Sequence, residues 1–233
     1  TGGPITIEDI NSLKLLPKKA PGIDSITAEH VIYGGESFKG VIAWLLNGII
    51  NTEFIPPNLK KGLMSPIPKQ DKDQTLKDNN RGITLLPIFY KMLENIMIMR
   101  EKEWIKENTN SIQSAGIEKC SSLHTSFIVQ EAVAHYNSLG MTVYIGSLDG
   151  RKAFDTVWIN GLLFKCYEKG MNMKMWRLIK NGYNSFQCAV YIQGERGEWF
   201  MPMQGVHQGA PLSMILYIIY NLSLIHIDAA DDP

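Results

Sequence analysis

The chain has 233 residues, of which 45% are hydrophobic and 20% are charged, a composition that is ordinary for a globular protein with a sizeable core. Its 23 basic residues balance its 23 acidic ones, which argues against a protein that mainly attaches to nucleic acid through net charge. The three cysteines have no CxxC spacing, so neither a disulfide framework nor a zinc site is expected. No secretion signal and no apolar run long enough to span a bilayer is visible, so no membrane contact is expected.

The first part of the chain predicts helices and one long β-hairpin. Apolar residues at helical spacing indicate a helix over 37–51. Two strands are predicted over 62–68 and 81–86, joined by a polar, charged loop. Pro87 is expected at the first position of the next helix. Between residues 57 and 100, eight Lys or Arg oppose four acids, which suits either a solvated surface or contact with phosphates.

The second part alternates helices with short strands. Ser121 or Ser122 is predicted to cap a helix that runs to about residue 138. The further predicted elements are a strand over 141–148, helices over 158–167 and 174–183, a hairpin over 188–203, and a helix from about residue 212. The predicted fold class is α+β, with helices around a small antiparallel sheet in one globular unit.

The segment SLDGRKAFDTV carries the first candidate site residues. Asp149 follows the predicted strand, and a carboxylate at a strand end is well placed to hold a metal ion. The alternative is a turn-forming Asp before Gly150. Asp155 is predicted to cap the helix that begins near Val157. Phe154 is either a core residue or a bulky side chain that excludes the 2′-hydroxyl of a nucleotide sugar.

The segment GVHQGAPLS is rich in turn-forming residues and precedes a predicted helix. Gly209 allows close backbone approach, and Gln208 offers both donor and acceptor groups to a base or sugar edge. The alternative is an ordinary turn between a strand and a helix. His207 has no partner at metal-ligand spacing, so we expect it to face solvent or to contact a strand.

Lys69 and Arg81 flank the loop of the first predicted hairpin. If its two strands pair, both side chains lie near one end. A planar guanidinium and a point charge together suit a triphosphate, although a charged, solvated hairpin is as good an interpretation.

These segments together resemble the reverse transcriptases of non-LTR (LINE-type) retrotransposons, and more distantly those of group II introns. The similar segments are KKAPGIDSITAEHV, SPIPKQDKDQTLKDNNRGITLLPIFYKMLENIMIMR, QSAGIEKCSSLHTSFIV, SLDGRKAFDTVWINGLLFKCYEKGM and MQGVHQGAPLSMILYIIYN. They occur in the order found in the family and extend from about residue 18 to residue 221. The resemblance implies the fingers and part of the palm of a polymerase "right hand".

The resemblance also implies roles for individual residues. Asp149 matches the metal-binding aspartate of the first palm motif, and Phe154 matches the residue that selects the sugar. Asp155 matches a position that is not a metal ligand. Gln208 and Gly209 match the motif that lines the nucleotide pocket and the primer-template.

Lys69 and Arg81 match the fingers residues that hold the incoming triphosphate.

The implied reaction needs more than one carboxylate. A DNA primer on an RNA template attacks a dNTP, and two Mg²⁺ ions stabilise the attacking and leaving oxygens. Mg²⁺ prefers several hard oxygen ligands, so Asp149 alone is not sufficient.

The sequence departs from the family at its end. A Tyr/Phe-x-Asp-Asp motif is expected some tens of residues after GVHQGAPLS, whereas the chain continues as NLSLIHIDAADDP. Residues 1–221 are therefore predicted to be fingers and partial palm, and 222–233 a tail foreign to the family. We expect the 233-residue chain to be inactive alone, with downstream palm, thumb and endonuclease segments absent from it. Smaller departures are Gly82, His207 and Ala210, where Pro, Arg and Asp are common.

The predicted function is RNA-directed DNA polymerisation by a retrotransposon protein. A catalytically inactive, nucleic-acid-binding remnant is the alternative. An RNA-templated RNA polymerase is a weaker third interpretation, because Phe154 would obstruct a ribonucleotide. An intracellular location is expected, in the nucleus as for the family or in the cytoplasm.

Overall fold

The computed structural model describes residues 2–109, 121–147, 149–150 and 152–225, with side chains up to residue 221. Its helices are α1 Ile7–Ser12, α2 Ala28–Tyr33, α3 Gly35–Thr52, α4 Ile88–Arg100, α5 Lys102–Glu107, α6 Ser122–Ser138, α7 Ile159–Glu168, α8 Met173–Tyr183 and α9 Ser213–Ile225. Its strands are β1 Lys61–Pro68, β2 Asn80–Leu85, β3 Gln187–Ile192 and β4 Glu195–Phe200. The predicted helices over 37–51, 158–167 and 174–183 are confirmed.

Helices α3, α4, α7 and α8 share one hydrophobic core. Leu46 of α3, Leu93 of α4, Leu162 of α7 and Leu178 of α8 are each almost fully buried in the same cluster. They recur at helical spacing with other apolar residues, so each of these four helices buries one face. This core forms the rigid base on which the sheet and its connecting loops lie.

Two helix starts show how the sequence predicted the elements. Helix α6 begins at Ser122 with Ser121 as its N-cap, which confirms that prediction. Helix α4 begins at Ile88 with Pro87 as its N-cap. Pro87 therefore lies one residue before the first helical position that we predicted for it.

The four strands form one sheet in the order β2-β1-β3-β4. Both predicted hairpins are present, because β1 pairs antiparallel with β2 and β3 pairs antiparallel with β4. The two hairpins join through a parallel pairing of β1 with β3. The α+β class is confirmed. The sheet is mixed, whereas a wholly antiparallel sheet was predicted. A parallel pair requires a long connection between its strands, and the helices between β2 and β3 are part of that connection.

The strand predicted over 141–148 is not formed in residues 141–147, and Leu148 lies outside the described residues. Tyr144 is 92% exposed and Ile145 is 66% exposed. A strand needs a hydrogen-bonded neighbour, and none of the described strands pairs with this segment. Apolar β-propensity alone therefore gave the wrong prediction.

Within the described part of the chain, no helix is both long enough and apolar enough to cross a lipid bilayer.

Candidate functional site

The loop over 201–212 lies against residues 154–157. The amides of Gly205 and Val206 donate to carbonyls of this segment, each over 2.8 Å. Gly205 has a φ of +92°, and a Cβ there would come within 2.9–3.1 Å of the Asp155 backbone. Only glycine combines this conformation with so close an approach. The two motifs singled out in the sequence are therefore joined backbone to backbone.

We expect Gly205→Ala to destabilise the fold by about 2–4 kcal/mol, because the left-handed conformation alone costs about 1–2 kcal/mol and the new methyl group also meets the Asp155 backbone. Gly194→Ala is the matched control. Gly194 has a φ of +88°, but nothing lies within 4 Å of an added Cβ. Urea unfolding of both variants measures the difference. Equal losses would mean that the close contact at Gly205 carries no energy.

The same loop also covers the edge of strand β2. The Thr84 amide donates to the Gln208 carbonyl over 2.7 Å, so an otherwise unpaired edge group is satisfied. Gly209 has a φ of +111°, and a Cβ there would lie 2.9 Å from the Thr84 carbonyl oxygen. The close approach predicted for Gly209 is therefore made, in this structure, to strand β2.

The side chains of Gln208 and Asp155 form a hydrogen bond. Gln208 Nε2 donates to Asp155 Oδ1 over 2.8 Å. Helix α7 begins at Ile159 with Trp158 as its N-cap, so the prediction that Asp155 caps this helix is wrong. The helix starts too late in the chain for Asp155 to reach its first amides, and the carboxylate orients Gln208 instead.

A cavity of about 270 Å³ opens beside this pair. Its walls come from the hairpin β1–β2, from the segment after Asp149 and from the 201–212 loop. The lining includes Met64, Gly82, Thr84, Lys152, Asp155 and Gln208. The Lys152 amine binds Asp78 Oδ1 over 2.7 Å, so the tip of the first hairpin is tied to the segment that carries Phe154 and Asp155.

Lys69 and Arg81 do not line this cavity. Arg81 lies opposite Ile67 in the hairpin, and Lys69 is two residues further along, so the two cations share one face of the ribbon. Met64 and Gly82 line the cavity from the alternate positions, which face the other way. The Lys69 amine donates to the Asp78 carbonyl over 2.7 Å. The role of Lys69 and Arg81 in holding a triphosphate stays a prediction.

Phe154 stacks on Tyr217 of α9, with ring centroids 4.9 Å apart and an angle of 18° between the planes. Phe154 is half-buried and packs against the core. A Cβ on Gly150 would lie 3.6 Å from the Tyr217 hydroxyl oxygen, so Tyr217 also lies near the residue that follows Asp149. Sequence reasoning missed Tyr217, whose only signal was an aromatic residue one turn after Ser213.

Asp149 is exposed and directly precedes Gly150, the residue that lies near Tyr217. In the described ranges, no group of three or more His, Cys, Asp or Glu side chains is arranged to hold a metal ion. Mg²⁺ takes several hard oxygen ligands, so Asp149 fits as one ligand of a magnesium site but the described residues do not complete one.

The 201–212 loop buries one of its own ionisable side chains, His207. His207 is only 6% exposed and stacks between Tyr183 and Phe186. Burial lowers its pKa to about 3, so the ring is neutral at physiological pH. The alternative of a solvent-facing His207 is therefore wrong.

Glu94 of α4 is 5% exposed, and its Oε2 accepts a hydrogen bond from the Leu212 amide over 3.1 Å. Burial raises the pKa of Glu94 to about 8, because desolvation outweighs this bond. Sequence analysis missed Glu94, which supports the start of α9. The signal was an acid that directly follows the core residue Leu93 in a mostly apolar helix.

The comparisons with known proteins agree with these motifs. The family model described as "Reverse transcriptase (RNA-dependent DNA polymerase)" matches residues 67–227. The chain is 26% identical to the "Transposon TX1 uncharacterized 149 kDa protein" of Xenopus laevis, with 92% of the chain and 16% of that protein covered. It is 27% identical to the "RNA-directed DNA polymerase from mobile element jockey" of Drosophila funebris, with 95% and 24% covered.

A third relative is the "Probable RNA-directed DNA polymerase from transposon X-element" of Drosophila melanogaster, which is 28% identical, with 87% of the chain and 22% of that protein covered. The chain thus spans between 16% and 24% of the length of these three proteins. The matched family range contains every residue that lines the 270 Å³ cavity except Met64.

Proposed function

Because the chain belongs to the reverse transcriptase (RNA-dependent DNA polymerase) family, we propose that it forms the fingers and part of the palm of a LINE-type RNA-directed DNA polymerase. Its substrates are an RNA template, a DNA primer and dNTPs. The observation that carries this proposal is the direct bond between the two motifs, Gln208 to Asp155, at the wall of a cavity inside the matched family range. Synthesis primed on chromosomal DNA would take place in the nucleus.

Gln208 is the group proposed to contact the nucleotide. An ionised carboxylate accepts hydrogen bonds but donates none, so Asp155 takes the amide N–H of Gln208 and fixes which way the amide points. This leaves the side-chain oxygen of Gln208, Oε1, and the second N–H of its side-chain amide for a sugar or base edge. Phe154 is proposed to exclude the 2′-hydroxyl, supported by its rigid stacking on Tyr217.

Reverse transcriptases use divalent metal ions, and we propose two Mg²⁺ ions in the active polymerase, with Asp149 as one ligand. When bound, the ions stabilise negative charge on the reacting oxygens. Asp149 contributes an exposed carboxylate and directly precedes Gly150, which lies against the Tyr217 hydroxyl. The remaining ligands would come from outside the described residues.

Primer extension on an RNA template, by an active polypeptide that contains this chain, tests the proposal. We expect DNA complementary to the RNA, and Asp155→Ala should raise KM for dNTP about tenfold with a smaller effect on kcat. Loss of a hydrogen bond to a charged group costs about 1.5–3 kcal/mol, and misorientation of Gln208 weakens nucleotide binding. Asp155→Asn keeps an acceptor oxygen and should restore part of the affinity.

Glu103→Ala is the matched control, since it removes an exposed acid of α5 that does not line the cavity. If Asp155→Ala leaves KM unchanged, Asp155 does not position Gln208 during synthesis. If the polypeptide binds primer-template but makes no DNA, the family assignment remains and the polymerase proposal fails in favour of a nucleic-acid-binding remnant.

A further inference from the structure

A second cavity, of about 290 Å³, lies beside the cavity that Gln208 lines. Pro202, Gly205 and His207 line both, so part of the 201–212 loop is a wall common to the two. The other walls of the second cavity come from the first turn of α7, the end of α8 and the residue before β3. None of the residues proposed to contact nucleotide or metal is among its lining residues in the described chain. We call it the aromatic cavity.

The floor of the aromatic cavity is apolar and aromatic. Its buried side chains are those of Leu163, Phe186 and His207. The His207 ring stacks between Phe186 and Tyr183, with centroid distances of 3.8 Å and 4.7 Å. Walls of this kind favour a planar aromatic ligand. The volume is at the small end of ligand pockets, so the cavity suits a ligand the size of one substituted ring.

The mouth of the aromatic cavity carries a cation. The lining residues that are exposed to solvent, and so mark the mouth, are Asn160, Lys180, Asn184 and Met203. The Lys180 amine lies 5.1 Å from the centroid of the Trp176 ring, which restrains its position. In the described part of the chain, no acid lines the cavity. The local charge therefore favours an anionic ligand over a cationic one.

The His207 ring also supplies a buried polar atom. Its Nδ1 is enclosed and has no hydrogen-bond partner among the described residues. An unpaired polar atom in the interior is unfavourable, so a ligand hydroxyl that enters far enough to bond Nδ1 gains affinity. Burial lowers the pKa of His207 to about 3, and the neutral ring has one N–H and one acceptor nitrogen. A hydroxyl fits Nδ1 in either tautomer, because it both donates and accepts.

We propose that the aromatic cavity binds a small aromatic carboxylate that carries a hydroxyl on its ring. The ring packs against Leu163 and Phe186, the carboxylate lies near Lys180 at the mouth, and the hydroxyl bonds His207 Nδ1 at the floor. Each of these contacts uses a lining residue that has no part in the proposed polymerase chemistry. The aromatic cavity is therefore a binding site of its own, separate from that of the nucleotide.

Occupancy of the aromatic cavity should act on the loop that carries Gln208. His207 directly precedes Gln208, so a ligand that bonds the His207 ring shifts the residue whose side chain Asp155 holds. This consequence rests on the proposed function, in which Gln208 contacts the nucleotide. Because coupling between two sites is reciprocal, the aromatic acid and the dNTP should weaken each other's binding.

An NMR titration of the 233-residue chain with 4-hydroxyphenylacetate tests the binding proposal. We expect a Kd of about 0.1–4 mM, as for a ligand of this size, with chemical-shift changes concentrated at residues 159–163, 183–186 and 202–207. No binding, or shift changes confined to other parts of the chain, would overturn the proposal.

Two analogues separate the polar contacts. Phenylacetate lacks the hydroxyl, and tyramine has an amine in place of the carboxylate. Each should bind about fivefold more weakly than 4-hydroxyphenylacetate. Equal affinity for the acid and the amine would overturn the proposal of an anion site, and equal affinity for the two acids would overturn the role of His207.

Lys180→Glu reverses the charge at the mouth and should reverse the preference, so that tyramine binds about fivefold more tightly than 4-hydroxyphenylacetate. Lys106→Glu is the matched control, since it makes the same charge change at an exposed position of α5 that does not line the cavity. This control should keep the wild-type preference. Reversal in both variants would overturn the proposal, because it would report net charge alone.

Ile159→Trp should fill the aromatic cavity, because Ile159 lines it from a half-buried position at the start of α7. We expect at least a tenfold loss of affinity for 4-hydroxyphenylacetate, and wild-type affinity would overturn the proposal. Far-UV circular dichroism shows whether the variant folds. If it does not, the charge reversal at the exposed Lys180 decides the test.

Primer extension by an active polypeptide that contains this chain tests the coupling. Saturating 4-hydroxyphenylacetate should raise KM for dNTP about fivefold, and Lys106→Glu should respond in the same way. An unchanged KM with the cavity saturated would overturn the coupling and leave the binding site intact. A polypeptide that binds the acid and makes no DNA would contradict the proposed function alone.

Discussion

Asp149→Asn is expected to lower the rate of DNA synthesis by about three orders of magnitude or more, in an active polypeptide that contains this chain. The substitution removes a negative charge from the proposed metal ligand. Metal stabilisation of the reacting oxygens contributes several kcal/mol, and each tenfold change in rate corresponds to about 1.4 kcal/mol. Affinity for the RNA template should change less than twofold, because the substitution keeps the size of one exposed side chain and adds no positive charge. Single-turnover primer extension and anisotropy measure the two quantities.

Asp71→Asn is the matched control for this substitution. Asp71 is an exposed aspartate in the loop of the first hairpin, and it undergoes the same loss of charge. Asp149→Cys adds a direct test of metal binding, because a thiolate prefers softer ions to Mg²⁺. Activity regained with Mn²⁺ or Cd²⁺ but not with Mg²⁺ would support ligation, and a near-normal rate of Asp149→Asn in Mg²⁺ would remove Asp149 from the metal site.

Glu94→Gln should make the fold more stable than wild type by about 4 kcal/mol at pH 8, and by less than about 1 kcal/mol at pH 5. Burial raises the pKa of Glu94 from 4.5 to about 8 in the folded chain, so the unfolded chain releases its proton first as pH rises. Wild-type stability from this group is complete below pH 4.5 and is lost as pH rises through 8. A glutamine side chain cannot ionise, and its oxygen still accepts the hydrogen bond from the Leu212 amide.

Urea unfolding of the 233-residue chain at several pH values between 5 and 8 measures this effect. Glu103→Gln on the exposed face of α5 is the control, and its stability should follow the wild-type pH dependence. His207 is present in all three proteins, so its own titration at lower pH cancels in the comparison. Parallel curves for wild type and Glu94→Gln would show that Glu94 is ionised in the folded chain at neutral pH.

Local patterns in the sequence predicted the longer helices and both hairpins, but not the six-residue helices α1, α2 and α5. A helix over 37–51 and a hairpin loop between 68 and 81 are determined by residues close together in the sequence. Their apolar spacing and turn-forming residues therefore predicted them correctly. The strand predicted over 141–148 depended on a neighbouring strand that no local pattern reveals. The Asp155 cap failed for a similar reason, since a helix start shifted by two residues frees the carboxylate to bind Gln208.

The two faces of the first hairpin show why the candidate site was only partly predictable. Lys69 and Arg81 were correctly placed near one end of the hairpin. Which side of the sheet they occupy depends on the register between β1 and β2, because a shift of one residue reverses every side chain. Tyr217 and Glu94 enter the site through packing of α9 and α4, which leaves no signature in the neighbouring sequence.

The parallel pairing of β1 with β3 has a consequence for the synthesis of the chain. Lys61 pairs with Gln187, so β1 emerges from the ribosome long before its central partner has been translated. Contacts between such distant residues form slowly. Until then, the first hairpin presents an unpaired edge next to apolar residues such as Leu63, and such edges invite pairing between chains. Chaperone binding during that interval should therefore raise the yield of folded protein, whereas slower translation would prolong the exposure and lower the yield.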